Sequence, residues 1–160
     1  MSAYLLKQKQ KLMIKFAKIL FVMLCFTHVS AFGQELKKET LTTDWNLLSE
    51  TNGIKIFLRT ETCQVQGAPK PFDYAFIKLE NSNSVAKTID FQLGLNYTGT
   101  CIGCSENDSE AKRNIVIPAN SVLIGDATFE KGELSYLIAN HNSPAKLELK
   151  SIKLINLNIQ

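Results

Sequence analysis

The sequence predicts an all-β domain, a sandwich or a small barrel of seven to eight short strands, and three observations carry that prediction. Apolar and polar residues alternate along the chain after Asp44, most cleanly as Ile89, Phe91, Leu93, Leu95 and Tyr97 against Asp90, Gln92, Gly94 and Asn96. Period two places one side of a segment in a core and the other in water, which is the pattern of a half-buried strand. Turn-forming residues recur at short intervals, and no window beyond residue 50 sustains a helical period of 3.6.

The elements follow in order. Asn52-Gly53 lies between Trp45-Asn46-Leu47-Leu48 and Ile54-Lys55-Ile56-Phe57-Leu58-Arg59, and Asn-Gly between apolar runs signals a hairpin. Trp45 to Leu48 also fits one helical turn capped by Asp44. Gly67-Ala68-Pro69-Lys70-Pro71 reads as a loop, and residues 72–80 are aromatic and β-branched enough for a strand ending at Asn81-Ser82-Asn83-Ser84. After the alternating strand at 89–97 come Ile115-Val116-Ile117, a break at Pro118-Ala119-Asn120, then Val122-Leu123-Ile124. Leu134-Ser135-Tyr136-Leu137-Ile138 is a further strand, and Asn140-His141-Asn142-Ser143-Pro144 a further turn. The chain closes with Leu147, Leu149, Ile152, Leu154, Leu157 and Ile159. Their parity flips between 149 and 152 and again near 155, which a β-bulge or a crossing between sheets would produce. A core strand pair is expected there.

The beginning of the chain has a different character. Residues 1–18 hold five lysines and no acid. Ile19-Leu20-Phe21-Val22-Met23-Leu24-Cys25-Phe26 follows, and small residues then appear in Val29-Ser30-Ala31-Phe32-Gly33. Basic start, short apolar run and small-residue exit form the pattern of a cleavable signal peptide, here residues 1–33, with Met13 as an alternative start. The apolar run is short for a membrane span. Cleavage after Gly33 leaves Gln34 first, a flexible segment over 34–43, and a single domain over 44–160. The protein is therefore expected to be exported, to the periplasm or the cell exterior, with no membrane span after processing.

Removing the leader reverses the charge. The chain has 18 basic and 15 acidic residues; without the five leader lysines the balance is 13 against 15. A mildly acidic domain whose only adjacent basic pair is Lys112-Arg113 lacks the electrostatic footprint of a nucleic-acid binder.

Three cysteines remain after processing, Cys63, Cys101 and Cys104, and an oxidising compartment makes all three disulfide candidates. Cys101-Ile102-Gly103-Cys104 has the spacing of a redox pair. It follows an alternating strand rather than opening a helix, and the acidic Glu106, Asp108 and Glu110 that follow would raise a thiol pKa. A bond spanning about 40 residues constrains the unfolded chain more than one across a tiny loop. Cys63 is therefore expected to pair with Cys101 or Cys104, Cys104 being the expected free thiol. A zinc site would have to add His141 to the three sulfurs, and only one pair has finger-like spacing. The acidic run lacks the turn glycine and closing glutamate of a calcium loop. There is no G-x-S-x-G, H-E-x-x-H, phosphate-cradling loop or G-x-G-x-x-G. No catalytic, metal or cofactor site is assigned.

Two stretches resemble immunoglobulin-like domains. Phe76-Ile77-Lys78-Leu79-Glu80-Asn81-Ser82-Asn83 followed by Ile89-Asp90-Phe91-Gln92-Leu93 is similar to their B-to-C region. Ile115-Val116-Ile117-Pro118-Ala119-Asn120-Ser121 is similar to the turn before a later strand. The order Trp45, Gly53-Ile54-Lys55-Ile56, Cys63, Tyr97, Cys101, Cys104 resembles a family of small exported proteins of Bacteroidota that has no assigned activity. This chain departs from it by lacking a cysteine near Gly125-Asp126-Ala127. The resemblance implies an immunoglobulin-like antiparallel β-sandwich, with a small β-barrel as the alternative. The expected role is a non-catalytic binding or structural module, its partner a protein or other envelope component. Two other readings stand beside it: an exported thiol-redox protein using Cys101/Cys104, and a small β-barrel binding an apolar ligand.

Overall fold

Asn52 and Gly53 close the first hairpin with positive φ at both positions, 50° and 72°, the backbone of a type I′ turn whose twist suits the strands it joins. A Cβ on Gly53 would stand 2.7 Å from the Asn83 amide, so the site needs glycine for space as well as for conformation. The computed structural model describes residues 35–105, 108–143 and 147–160. The leader assigned to residues 1–33 lies outside the described residues, as do Glu106, Asn107 and Pro144.

Ten strands run through the described residues: β1 (Glu35–Lys37), β2 (Asn46–Thr51), β3 (Ile54–Cys63), β4 (Phe72–Asn81) and β5 (Lys87–Tyr97), then β6 (Thr100–Ile102), β7 (Lys112–Ile117), β8 (Ser121–Ile124), β9 (Ser135–Asn140) and β10 (Leu149–Ile159). They form two antiparallel sheets packed together, and neither closes into a barrel. Sheet A has the order β1-β10-β5, with β6 and β7 both pairing β5. Sheet B has the order β2-β3-β4, with β8 and β9 both pairing β4. The fold is a β-sandwich, and the barrel alternative is set aside. The chain crosses between sheets from β4 to β5, as it does from B to C in immunoglobulin domains, and again at Pro118-Ala119-Asn120. Otherwise the order is its own: β2, β3 and β4 are a consecutive meander, where immunoglobulin domains set B beside E.

Three expectations change. The segment read as 34–43 is, over its described residues 35–43, not a loose entry: β1 pairs β10 through Glu35↔Lys153, Leu36↔Ile152 and Lys37↔Ser151, and the Thr60 amide donates to the Thr42 carbonyl at 2.8 Å. Leu36 and Leu41 are its only anchors on the core, so its composition reads as polar. β1 and β6, three residues each, are too short for alternation to show, and they raise the count to ten. The C-terminal pair is one strand. β10 lies between β1 and β5 with register shifts at Leu149/Ser151 and Ile155/Asn158, where the parity flips, and Asn156 at the second shift has φ 53°. Each shift is a bulge, and neither is a crossing between sheets. Trp45-Asn46-Leu47-Leu48 enters β2 and makes no helical turn.

The core is built from the inward rows: Ile54, Ile56 and Leu58 of β3, Ile77 and Leu79 of β4, and Ile89, Phe91, Leu93 and Leu95 of β5, with Ile152 and Leu154 of β10. Each such side chain contributes about 1.5–3 kcal/mol by leaving water. One end of the sandwich is tied shut by the Asn-rich turn after β4. The buried Asn81 donates from Nδ2 to the carbonyls of Val85 (3.0 Å) and Pro118 (2.9 Å), and its Oδ1 accepts from the Asn83 amide (2.9 Å). Asn83 Nδ2 donates to the Asn52 carbonyl at 2.8 Å. Three turns are thereby locked together. The other end is open.

Candidate functional site

The inward row of β3 runs Ile54, Ile56, Leu58, Thr60, Thr62. Its partners on β4 are Asn81, Leu79, Ile77, Ala75 and Asp73. Past Leu58 and Ile77 the interior positions become small or polar, so apolar packing between the sheets stops short of the strand ends. A cleft of about 950 Å³ occupies this end, near the upper end of the usual range for ligand sites. Sheet B contributes Thr60, Thr62, Asp73 and the whole run of residues 137–141; sheet A and its approach contribute Tyr97, Ile102, Leu147 and Leu149. Ile102 and Leu147 are each 49% exposed. These are large apolar side chains left in solvent within one concavity.

The ionisable groups of the cleft are paired. Asp73 accepts from Thr62 Oγ1 at 2.7 Å and lies 2.9 Å from His141 Nε2. Glu61 pairs with Arg59 at 3.0 Å. Glu148 is held by Lys150 at 3.0 Å and Lys38 at 3.4 Å, and the Lys150 hydrogen bond, with the charges of both lysines, keeps its carboxyl below the ordinary range. Tyr97 donates from its hydroxyl to the Ile138 carbonyl at 2.7 Å, and burial pushes its phenol up. Asp73 stands between Thr62 and His141. The hydroxyl is therefore engaged by a carboxylate, and among the described residues no imidazole is aligned on it as a nucleophile–base pair requires.

The cysteines pair differently from expectation. Cys101 and Cys104 form the disulfide, with Cα atoms 5.7 Å apart, and Cys63 is free and buried. Strand parity is the reason. Cys63 shares the outward face of β3 with Phe57 and Arg59, beside Phe72 of β4. Cys101 is opposite Asn96, on the outward face of β5. The two thus point away from each other across both layers, and sheets pack about 10 Å apart. The zinc set with His141 is excluded by the same geometry, and among the described residues no group of three or more His, Cys, Asp or Glu is placed to hold a metal.

Each outward cysteine sits in its own small cluster. On sheet A the loop carrying the disulfide folds over β5. Gln92 is fully buried there and donates to the carbonyls of Gly103 and Ser105. A Cβ on Gly94 would stand 2.8 Å from Cys104 Sγ and 2.7 Å from Ile155 Cδ1. On sheet B the outward rings of Phe72, Tyr74 and Phe76 form a ladder, with Phe129 4.8 Å from Tyr74 and 6.0 Å from Phe76. The Arg59 guanidinium lies 5.0 Å over Trp45. Burial pushes the Cys63 thiol up, with the charge of Glu61 adding to the effect.

The cleft residues Thr62, Asp73, Ile102, Leu137 and Leu147 carry no motif in the sequence, and His141 enters its reading only as a zinc ligand. One signal was available: Thr60 and Thr62 continue the inward parity of Ile54, Ile56 and Leu58, and polar residues on an inward row mark where a core ends.

No protein-family model matches the sequence, and no curated protein matches it. Among solved structures, the trimeric lipoprotein SadB of Salmonella enterica aligns with 98% of this chain and 80% of its own at 13% identity and a TM-score of 0.36, a likeness from which nothing is carried over.

Proposed function

We propose that this chain is an exported, non-catalytic β-sandwich module that binds an apolar ligand or partner segment in the open end of the sandwich. The observation that carries the reading is the cleft of about 950 Å³, with Ile102 and Leu147 exposed along it. Grouped exposed apolar side chains mark interaction sites. The engagement of Thr62 by Asp73 supports binding over catalysis. The Cys101–Cys104 disulfide is a feature of oxidising compartments and supports export, as does the basic and apolar leader. No helix among the described residues is long and apolar enough to cross a membrane.

Titration with 1-anilinonaphthalene-8-sulfonate tests the reading. Saturable one-to-one binding is expected in the wild type, weakened at least tenfold in Ile102→Arg, with circular dichroism confirming that the variant is folded. Absence of saturable binding, or equal binding by the variant, would sink it.

A second reading has its own observation. Cys101 and Cys104 form a C-x-x-C disulfide exposed to solvent, which favours thiol–disulfide exchange. The pair sits on a strand and the loop after it, and no helix N-terminus lowers its thiol pKa. Equilibration with glutathione at a potential near that of thioredoxin would promote this reading.

A further inference from the structure

The cleft has a feature that an apolar pocket alone does not need: one of its walls is the edge of a strand. β9 pairs β4 on one side, and no strand of the described residues pairs its other side. Residues 137–141, consecutive in the chain, line the cleft. An unpaired edge presents a row of backbone donors and acceptors, and proteins blunt such edges with charges, prolines, bulges or short strands. β9 reads Ser135-Tyr136-Leu137-Ile138-Ala139-Asn140, with neither charge nor proline. The other outer strands are three or four residues long (β1, β6, β8) or carry charge (β2, β7). One bulge, at Ile138, is the only blunting device on β9 among the described residues, and the carbonyl of Ile138 is already taken by Tyr97.

We propose that the cleft receives an extended, neutral and largely apolar peptide segment of a partner protein, which adds as a strand to the free edge of β9. This deepens the binding reading above and rests on it. The chemistry of the walls selects such a segment. Backbone groups along β9 satisfy those of an incoming strand, whose side chains alternate between two faces. Ile102 and Leu147, across the cleft from the strand, offer apolar contact to those side chains. The carboxylates of Glu61 and Glu148 each have a cationic partner within the molecule, and that of Asp73 is engaged by Thr62 and His141, so each acidic group of the cleft is already met from within the molecule. A lipid or other chain without amides would leave the edge of β9 unused.

The test uses the exported form of the protein to select binders from a displayed library of ten-residue peptides, keeping those that displace 1-anilinonaphthalene-8-sulfonate. The tightest is resynthesised with one N-methyl amide at each position in turn, which removes a single N–H and leaves every side chain. Strand addition predicts a period of two: alternate positions weaken binding tenfold or more and the intervening ones change it little. Hydrogen exchange of amides in β9 slows at least tenfold in the complex. A flat N-methyl profile, unchanged exchange in β9, or a library yielding no peptide that displaces the probe overturns the proposal. In each of those cases saturable probe binding still upholds the broader reading, so the two failures are distinct.

Discussion

The hydroxyl of Tyr97, the last residue of β5 in sheet A, donates at 2.7 Å to the carbonyl of Ile138, the bulged residue of β9 in sheet B. This bond joins the two layers at the base of the cleft. The bulge leaves Ile138 without a partner on β4, and Tyr97 supplies the donor that the ladder does not.

Tyr97→Phe should therefore destabilise the protein by about 1–3 kcal/mol, the cost of a buried acceptor left without a partner. Urea denaturation reads this as a lower midpoint at unchanged slope. An unshifted midpoint would show that the layers do not depend on this bond.

Non-reducing peptide mapping should recover one Cys101–Cys104 link and a free Cys63. Burial and a raised thiol pKa make Cys63 unreactive, so in the form lacking the leader and its Cys25 a disulfide-exchange reagent should label no thiol in the native protein near pH 8 and one after denaturation. Rapid native labelling would contradict the outward cluster around Cys63.

Gly94→Ala should cost about 1–3 kcal/mol, as overpacking does in filled sites. The new methyl meets both Ile155 and Cys104. Adding Ile155→Ala should recover part of the loss, because it removes one of the two obstructions. Strict additivity in the double variant would show that the methyl finds room without moving Ile155.

Asp126 accepts from the Thr128 hydroxyl at 2.5 Å and the Thr128 amide at 2.9 Å, and these bonds hold its carboxyl below the ordinary value. A depressed native pKa means that its contribution is present above the unfolded value, about 3.9, and is lost as pH falls through the native one. The turn positions Phe129, whose ring meets Tyr74 at 4.8 Å. The carboxyl resonance of Asp126 should titrate below the ordinary range, and the Phe129 ring signals should move with it. In Asp126→Asn those signals should no longer follow this titration. A carboxyl titrating at or above the ordinary value would refute these hydrogen bonds.

Much of the architecture was legible because period-two alternation and turn chemistry are local. Asn52-Gly53 gave its hairpin, 89–97 its inward row, and the parity flips near 150 and 155 the two bulges of β10. Residues 34–43 were not legible, since Leu36 and Leu41 are too few to show a pattern and their strand partner lies more than 110 residues away. The cleft was partly legible, in the threonines that continue the inward row of β3.

The sequence by itself determined that the chain is all-β, where its strands bend, and which side chains of β5 face inward, because each of these follows from neighbours within a few residues. Only the tertiary structure decided which cysteines meet. Cys63 and Cys101 both stand near strand ends, but each takes its direction from the parity of its own strand, and the two strands belong to different layers facing opposite ways. The cleft was decided in the same manner. Thr62, Asp73, Leu137, Ile102 and Leu147 come from separate stretches of the chain, and only the packing of one sheet on the other brings them around one space.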